Sequence, residues 1–189
     1  MKLVLATQNP KKLNEMNEIL SHLGVEVVSE AELGVRIEVE ETGETFTDNA
    51  RLKATAVMQA TGLPAVADDS GLCVDALNGG PGVYSARFGG EGLDDKGRYT
   101  LLLEMLRGQT DRAAHFHTSI VCAFPNGDEL VCEGECPGTI AFAPMGEGGF
   151  GYDPVFFVPE LRKTFGQLTA EEKASVSHRG KALRAFAAA

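Results

Sequence analysis

A short apolar run, residues 3–7, ends on Asn9-Pro10 and passes straight into a helical pattern, and this strand-to-helix junction constrains the fold more than any other feature. The run is apolar, bounded and β-prone, so it reads as a buried strand. Asn9 supplies an N-cap, and Pro10 suits the first helical position, where its missing N–H costs nothing. Leu13, Met16, Leu20 and Leu23 then recur at helical spacing, and Gly24 stops the helix. A strand feeding a helix in this way predicts a βαβ beginning and a parallel sheet.

The same grammar continues along the chain. Residues 25–29 read as a second strand, and 38–43 as an acidic loop. Thr45 or Thr47 caps a second helix with Ala50, Ala54, Val57 and Met58 on its apolar face, closed by Gly62. Residues 64–68 form another short buried strand. Residues 79–90 are a long glycine-rich loop, of the kind that is usually functional in a compact domain. A helix follows between about Asp94 and Arg107, with Leu101, Leu102 and Leu103 at its core. Pro125-Asn126-Gly127-Asp128 reads as a hairpin turn, and 138–144 as one more strand. A glycine-rich loop at 146–151 leads into an apolar strand, and Thr169 with Glu172 forms a capping box opening the last helical region. Alternating βαβ units early and a hairpin later predict an α/β fold with a mixed sheet and flanking helices. The length, 189 residues, fits a single domain over 1–189 or two intimate lobes.

Composition enters as exclusions. With 17 basic against 27 acidic residues the net charge is −10, the wrong sign for a duplex nucleic-acid binder. A polyanionic ligand must be held by a local group of Lys and Arg or through a divalent cation. No apolar stretch is long enough to span a bilayer or to form a signal-peptide core, so a cytoplasmic protein with no membrane contact is expected. Cys73, Cys122, Cys132 and Cys136 form no C-x-x-C pair, and buried or half-buried thiols are expected.

Four segments carry chemistry. Thr7-Gln8-Asn9-Pro10-Lys11-Lys12 places backbone N–H groups, neutral donors and a lysine charge at a helix N-terminus, which suits a phosphate; an ordinary N-cap with a solvated lysine is the alternative. Asp68-Asp69-Ser70-Gly71 sits at the carboxyl end of a buried strand, where ligands gather in open α/β sheets. One carboxylate there could bind Mg²⁺ while the other orients or deprotonates water; a plain turn is the alternative. Glu40-Glu41 could add hard oxygen ligands. The string Gly146-Glu147-Gly148-Gly149-Phe150-Gly151 matches G-x-G-x-x-G, but a strand follows it rather than a helix, so a tight loop presenting Phe150 and Asp153 is expected instead of a dinucleotide site. Lys173 with Ser177-His178-Arg179 forms the fourth segment. Neither a nucleophile elbow nor a P-loop occurs.

Taken together, LATQNPKK, EETGETFTDNARLKA, ADDSGLCVDALNGGPGVYSARF, GGFGYDPVFF and EEKASVSHRGKAL resemble, in order and over nearly the whole chain, the signatures of the inosine triphosphate pyrophosphatase family, which clears non-standard purine nucleoside triphosphates. The resemblance implies an elongated mixed sheet, two lobes around a nucleotide cleft, a homodimer, and Mg²⁺-dependent hydrolysis of ITP, dITP and XTP to monophosphate and pyrophosphate. It assigns the triphosphate to Thr7, Asn9, Lys12 and Lys53, and Mg²⁺ to Asp69 with Glu40 or Glu41. It makes Asp69 the general base supported by Asp68, with Ser70 touching substrate. It places the base against Phe150, Gly151, Tyr152, Asp153, Lys173, His178 and Arg179. Two rival readings remain at this level: a Maf-type nucleotide pyrophosphatase with another base preference, and a non-catalytic nucleotide sensor. The FGYD and SHR blocks and the retained Asp68, Asp69, Lys12 and Lys53 weigh against them.

Overall fold

The protein is described by a computed structural model covering residues 2–22 and 24–189. The chain divides into two compact units, each assembled from separate stretches. One comprises Met1–Asp69, Thr118–Gly134 and Arg179–Ala189; the other comprises Ser70–His117 and Glu135–His178. The strands pair in the order β2 (Glu26–Ser29), β1 (Lys2–Leu5), β3 (Ala65–Val74), β5 (Ala113–Ala123), β6 (Glu129–Ile140), β7 (Phe156–Val158) and β8 (Lys163–Thr164), with β4 (Gly80–Pro81) off this path against β3.

In the first unit, β1 (Lys2–Leu5) lies parallel to β2 (Glu26–Ser29) and to β3 (Ala65–Val74). Helix α1 (Pro10–Ser21) connects β1 to β2, as the junction predicts, and Asn9 caps it by accepting from the Lys11 and Lys12 amides. Leu23, expected on its apolar face, lies outside the described residues. Met16 and Leu20 are fully buried with Leu3, Leu5, Val66, Ile120 and Leu183. Helix α2 (Phe46–Thr61) is capped by Thr45, whose side chain accepts from the Asp48 amide, and Gly62 closes it in the left-handed conformation at φ 68°. Its small residues Ala50 and Ala54 pack with Val57 against Val4, Ala65 and Ala67, which brings the α2 backbone close to the strands.

In the second unit a separate core forms around Phe116, Phe156, Phe165, Leu72, Leu102 and Ile140. Helix α3 (Asp95–Met105) contributes Leu102, and its N-cap Asp94 accepts from the Gly97 amide. Strands β5 (Ala113–Ala123) and β6 (Glu129–Ile140) are neighbours joined at the expected turn, where the Phe124 amide donates to the Asp128 carbonyl. β7 (Phe156–Val158) and β8 (Lys163–Thr164) complete the sheet antiparallel to their neighbours. Helix α4 (Ala170–Val176) opens on the Thr169–Glu172 capping box, and α5 (His178–Ala188) follows at once.

Three local expectations change. The strand expected over 64–68 does not end at Asp68-Asp69-Ser70-Gly71: β3 runs through the string for 10 residues, because burial on both faces outweighs its turn composition. Residues 79–90 are not an open loop. They hold β4 (Gly80–Pro81) and a 3₁₀ segment (Gly82–Arg87), pinned where Ser85 Oγ accepts from the Leu72 amide at 2.9 Å and donates to the Gly82 carbonyl at 2.6 Å. Residues 138–144 are not a strand of their own but the end of β6, which turns away after Ile140. The cysteines are as expected, Cys73 half-buried and the other three buried, all as free thiols.

Candidate active site

The expected chemistry falls into two clusters, one in each unit. In the first, Lys12, Asp68 and Arg179 meet. Lys12 Nζ lies 3.0 Å from Asp68 Oδ2, and Arg179 donates to that same oxygen from Nε at 3.3 Å and from Nη2 at 3.1 Å. Glu15, one turn beyond Pro10, holds the other arm of Arg179 through Nη1. Burial pulls the Lys12 pKa below its ordinary value, with Arg179 and Lys53 pushing the same way against the attraction of Asp68. Burial also opposes the charge on Arg179, but Asp68 and Glu15 outweigh it and hold the guanidinium firmly charged.

Beside this group stands a second pairing. Lys53, on α2, reaches Glu41 Oε1 at 2.8 Å and Asp69 Oδ1 at 3.3 Å. Asp69 is pushed above the ordinary carboxylate range first by burial, then by the charges of Glu41 and Asp68, against Lys53 and Lys12. Lys53 is the converse: burial pulls it down, but Asp69, Asp68 and Glu41 overcome that and raise it. Consecutive residues of β3 face opposite ways, which explains how Asp68 serves Lys12 and Arg179 while Asp69 serves Lys53. Glu40 is exposed, and Glu41 alone of the pair is turned to Lys53.

These residues fit a divalent cation. Glu41 and Asp69 are hard oxygen donors brought onto one ammonium, and burial followed by the neighbouring carboxylates pushes the Asp69 pKa up, a charge imbalance that a cation relieves. Among the described residues no group of three or more His, Cys, Asp or Glu is arranged to hold a metal. A two-carboxylate site of this kind suits Mg²⁺, which takes one or two carboxylates and fills its shell with water and substrate phosphates.

The rest of the N-terminal segment forms the turn into α1. Thr7 Oγ1 accepts from the Asn9 amide at 3.3 Å, while Gln8 and Lys11 are exposed, Gln8 donating to the Ile37 carbonyl. Pro10 occupies the first turn of α1.

The second cluster holds the aromatic residues. Lys173 Nζ is paired with Asp153 Oδ2 at 2.7 Å, both side chains buried, and lies 4.8 Å from the centre of the Phe150 ring. Asp153 Oδ2 also accepts from the Phe150 amide at 3.0 Å. A Cβ added at Gly149 would lie 1.9 Å from that carboxylate, so glycine is required for the loop to close on Asp153. Gly151 donates its amide to Asp95 Oδ2 at 2.8 Å, and Tyr152 donates its hydroxyl to the Ser85 carbonyl at 2.6 Å. His178 stacks on Phe116 at 4.7 Å between centroids, and Phe116 stacks in turn on Phe165. Ser70, half-buried on β3, opens this unit.

His178 and Arg179, adjacent in sequence and expected together at the base, therefore take different surroundings: a ring stack for one, the Asp68 carboxylate for the other. Sequence reasoning also missed Glu15 and Asn49. A buried Asn inside α2 is the available signal for the second, since Asn is a poor residue for a helix interior. Asn49 is fully buried and donates to Asp69 Oδ2 at 3.3 Å.

Comparison with known proteins follows the same outline. A family model described as the Ham1 family matches residues 3–189. A dITP/XTP pyrophosphatase of Desulforamulus reducens is 54% identical over 97% of this chain and 92% of its own. One from Thermus thermophilus is 53% identical over 98% of this chain and 90% of its own. The structure of a HAM1 protein from Coxiella burnetii superposes with a TM-score of 0.92 at 43% identity, covering 100% of this chain and 97% of that one.

Proposed function

The chain belongs to the Ham1 family, and from that premise we propose that it is a dITP/XTP pyrophosphatase, a hydrolase that converts non-standard purine nucleoside triphosphates to the monophosphate and pyrophosphate. The observation that carries the reading is the convergence of Glu41 and Asp69 on Lys53 beside Lys12 and Asp68. A nucleoside triphosphate carries about four negative charges, and a chain of net charge −10 can accept it only where lysines and a cation are concentrated.

In this reading Lys12 and the capped amides at Asn9 receive the triphosphate, with Thr7 completing the turn, and Lys53 adds charge from α2. Glu41, not Glu40, would hold Mg²⁺ with Asp69; the cation supplies neutralisation of the phosphate charge when bound. Asp69, buried on β3 beside Glu41 and Lys53, is placed to take a proton from a water at the same site. Asp68 is engaged elsewhere, its Oδ2 held by both Lys12 and Arg179. Arg179 thereby acts through Asp68 rather than on the base. The water so activated would attack the α-phosphorus in line, with pyrophosphate leaving.

Purine recognition is assigned to the second unit, where Phe150 offers a ring face and Lys173 a buried donor, with Gly151, Tyr152, Asp153 and His178 shaping the loop. A 6-oxo purine presents an acceptor to such a donor. Adenine presents an amino group instead, and the unpaired donors would cost about 1–3 kcal/mol each. The two units are read together as one nucleoside triphosphate pyrophosphatase domain, because β3, β5 and β6 each pass from one into the other. The family resemblance supports a homodimer working in the cytoplasm; among the described residues no helix is long and apolar enough to cross a membrane.

The test is pyrophosphate release from dITP, XTP, dATP and a pyrimidine triphosphate, with and without Mg²⁺. Mg²⁺-dependent release from dITP and XTP in preference to the others supports the reading. Preference for the pyrimidine points to a Maf-type enzyme, and binding without release to a sensor.

A further inference from the structure

Asn49 bridges the strand that carries Asp69 and the loop that carries Glu41. Its side chain is fully buried in the first turns of α2. Nδ2 donates to Asp69 Oδ2 at 3.3 Å, and Oδ1 accepts from the Gly43 amide at 2.8 Å. Gly43 lies two residues after Glu41, in the irregular acidic loop, and it is packed so tightly on α2 that an added Cβ would come within 2.6 Å of Asp48 Cβ and 2.7 Å of Asn49 Oδ1. One carboxamide therefore ties the loop that carries Glu41 to the strand that carries Asp69.

We propose that Asn49 is a positioning residue for the divalent cation: through its two hydrogen bonds it sets the separation and orientation of Glu41 and Asp69. This rests on the reading of those two as the metal-binding carboxylates. The chemistry of the side chain fits. A carboxamide can donate to one carboxylate while accepting from a loop amide, and it adds no charge to a site where Glu41 and Asp69 already repel. An aspartate could not donate there, and a serine could not span both partners. Without Asn49 the Gly43 amide loses its side-chain acceptor, and Asp69 Oδ2 loses a donor that fixes its rotation. Partners that orient metal ligands typically contribute about 10–100-fold to metal affinity.

The experiment measures Mn²⁺ binding to the substrate-free protein by calorimetry, with electron paramagnetic resonance of free Mn²⁺ as a check, for wild type, Asp69→Asn, Asn49→Ala and Gly43→Ala. Mg²⁺ activation curves for dITP hydrolysis and thermal unfolding are recorded alongside. Asn49→Ala and Gly43→Ala are each expected to weaken Mn²⁺ binding about tenfold or more. They should part in turnover: Gly43→Ala, which crowds Asp48 and Asn49 and moves the loop but leaves the Asn49 donor to Asp69, recovers kcat at saturating Mg²⁺, whereas Asn49→Ala, which also frees Asp69, does not. A purely structural role would lower the unfolding temperature and leave Mn²⁺ affinity and the Mg²⁺ activation constant in place. If wild type binds Mn²⁺ and both variants bind within twofold of it, the inference is overturned while the metal reading stands. If wild type and Asp69→Asn bind Mn²⁺ equally, the metal reading fails and takes the inference with it. Should Asn49→Ala not fold, Gly43→Ala decides between these results alone.

Discussion

Arg179 donates from both Nε and Nη2 to a single oxygen of Asp68, at 3.3 and 3.1 Å, with the Asp68 side chain wholly buried. Lys12 reaches the same oxygen at 3.0 Å. Two cations converge on one carboxylate oxygen, which fixes where the Lys12 ammonium stands at the start of α1. Arg179 thus shares its carboxylate with Lys12 rather than joining the cluster around Phe150 and Lys173.

Arg179→Ala is expected to lower kcat/KM for dITP and for dATP in parallel, leaving their ratio nearly unchanged. It should also destabilise the fold by about 3 kcal/mol, since breaking a buried pair leaves charges uncompensated. Steady-state kinetics on both nucleotides and denaturant unfolding check it. A collapse of the dITP/dATP ratio would instead place Arg179 against the purine.

Selectivity is expected to reside in Lys173, which is buried against Asp153 and the Phe150 ring. Lys173→Met should reduce kcat/KM for dITP by roughly 10- to 150-fold, the effect of one lost charged hydrogen bond, and hardly alter the poor rate with dATP. Competition between the two nucleotides in one reaction mixture measures this directly.

The capping and core patterns of the fold were legible in the sequence, and the pairings of the site were not. Asn9, Thr45 and Thr169 cap helices through contacts within three residues, so a local string suffices to announce them. Arg179 and Asp68 are 111 residues apart, and nothing local in Ser177-His178-Arg179 says which carboxylate will be met. The Asp68–Gly71 string has turn composition, yet it lies in a strand because burial of β3 on both sides decides the matter. Similarly, Glu40 and Glu41 are equivalent as letters; the backbone of an irregular loop turns one to Lys53 and the other to solvent.

That difference between neighbours is testable. Glu41→Gln is expected to raise the Mg²⁺ concentration for half-maximal activity by about 10- to 100-fold, while Glu40→Gln leaves it unchanged. Mg²⁺ titrations at fixed dITP give both values. Equal effects would return the assignment to the ambiguity of the sequence.

Lys12 supplies a pH signature. Burial lowers its pKa in the folded protein, so the ammonium is lost as pH rises through a value below the ordinary 10.5. Because kcat/KM reports groups of the free enzyme, it should fall on that alkaline limb as the phosphate-binding charge disappears. Lys12→Arg, whose guanidinium stays charged, should move the limb to higher pH, and Lys12→Ala should weaken binding of dITP far more than of deoxyinosine.

The central claim is that Asp69 activates water for pyrophosphate release. Its most direct test is hydrolysis of dITP in ¹⁸O-labelled water at saturating Mg²⁺ by wild type and by Asp69→Asn, with products resolved by mass. The account predicts dIMP carrying the label, unlabelled pyrophosphate, and a loss of about 10²–10⁴ in turnover for Asp69→Asn. Orthophosphate as the product, label in the pyrophosphate, or turnover by Asp69→Asn above roughly a tenth of wild type would contradict it.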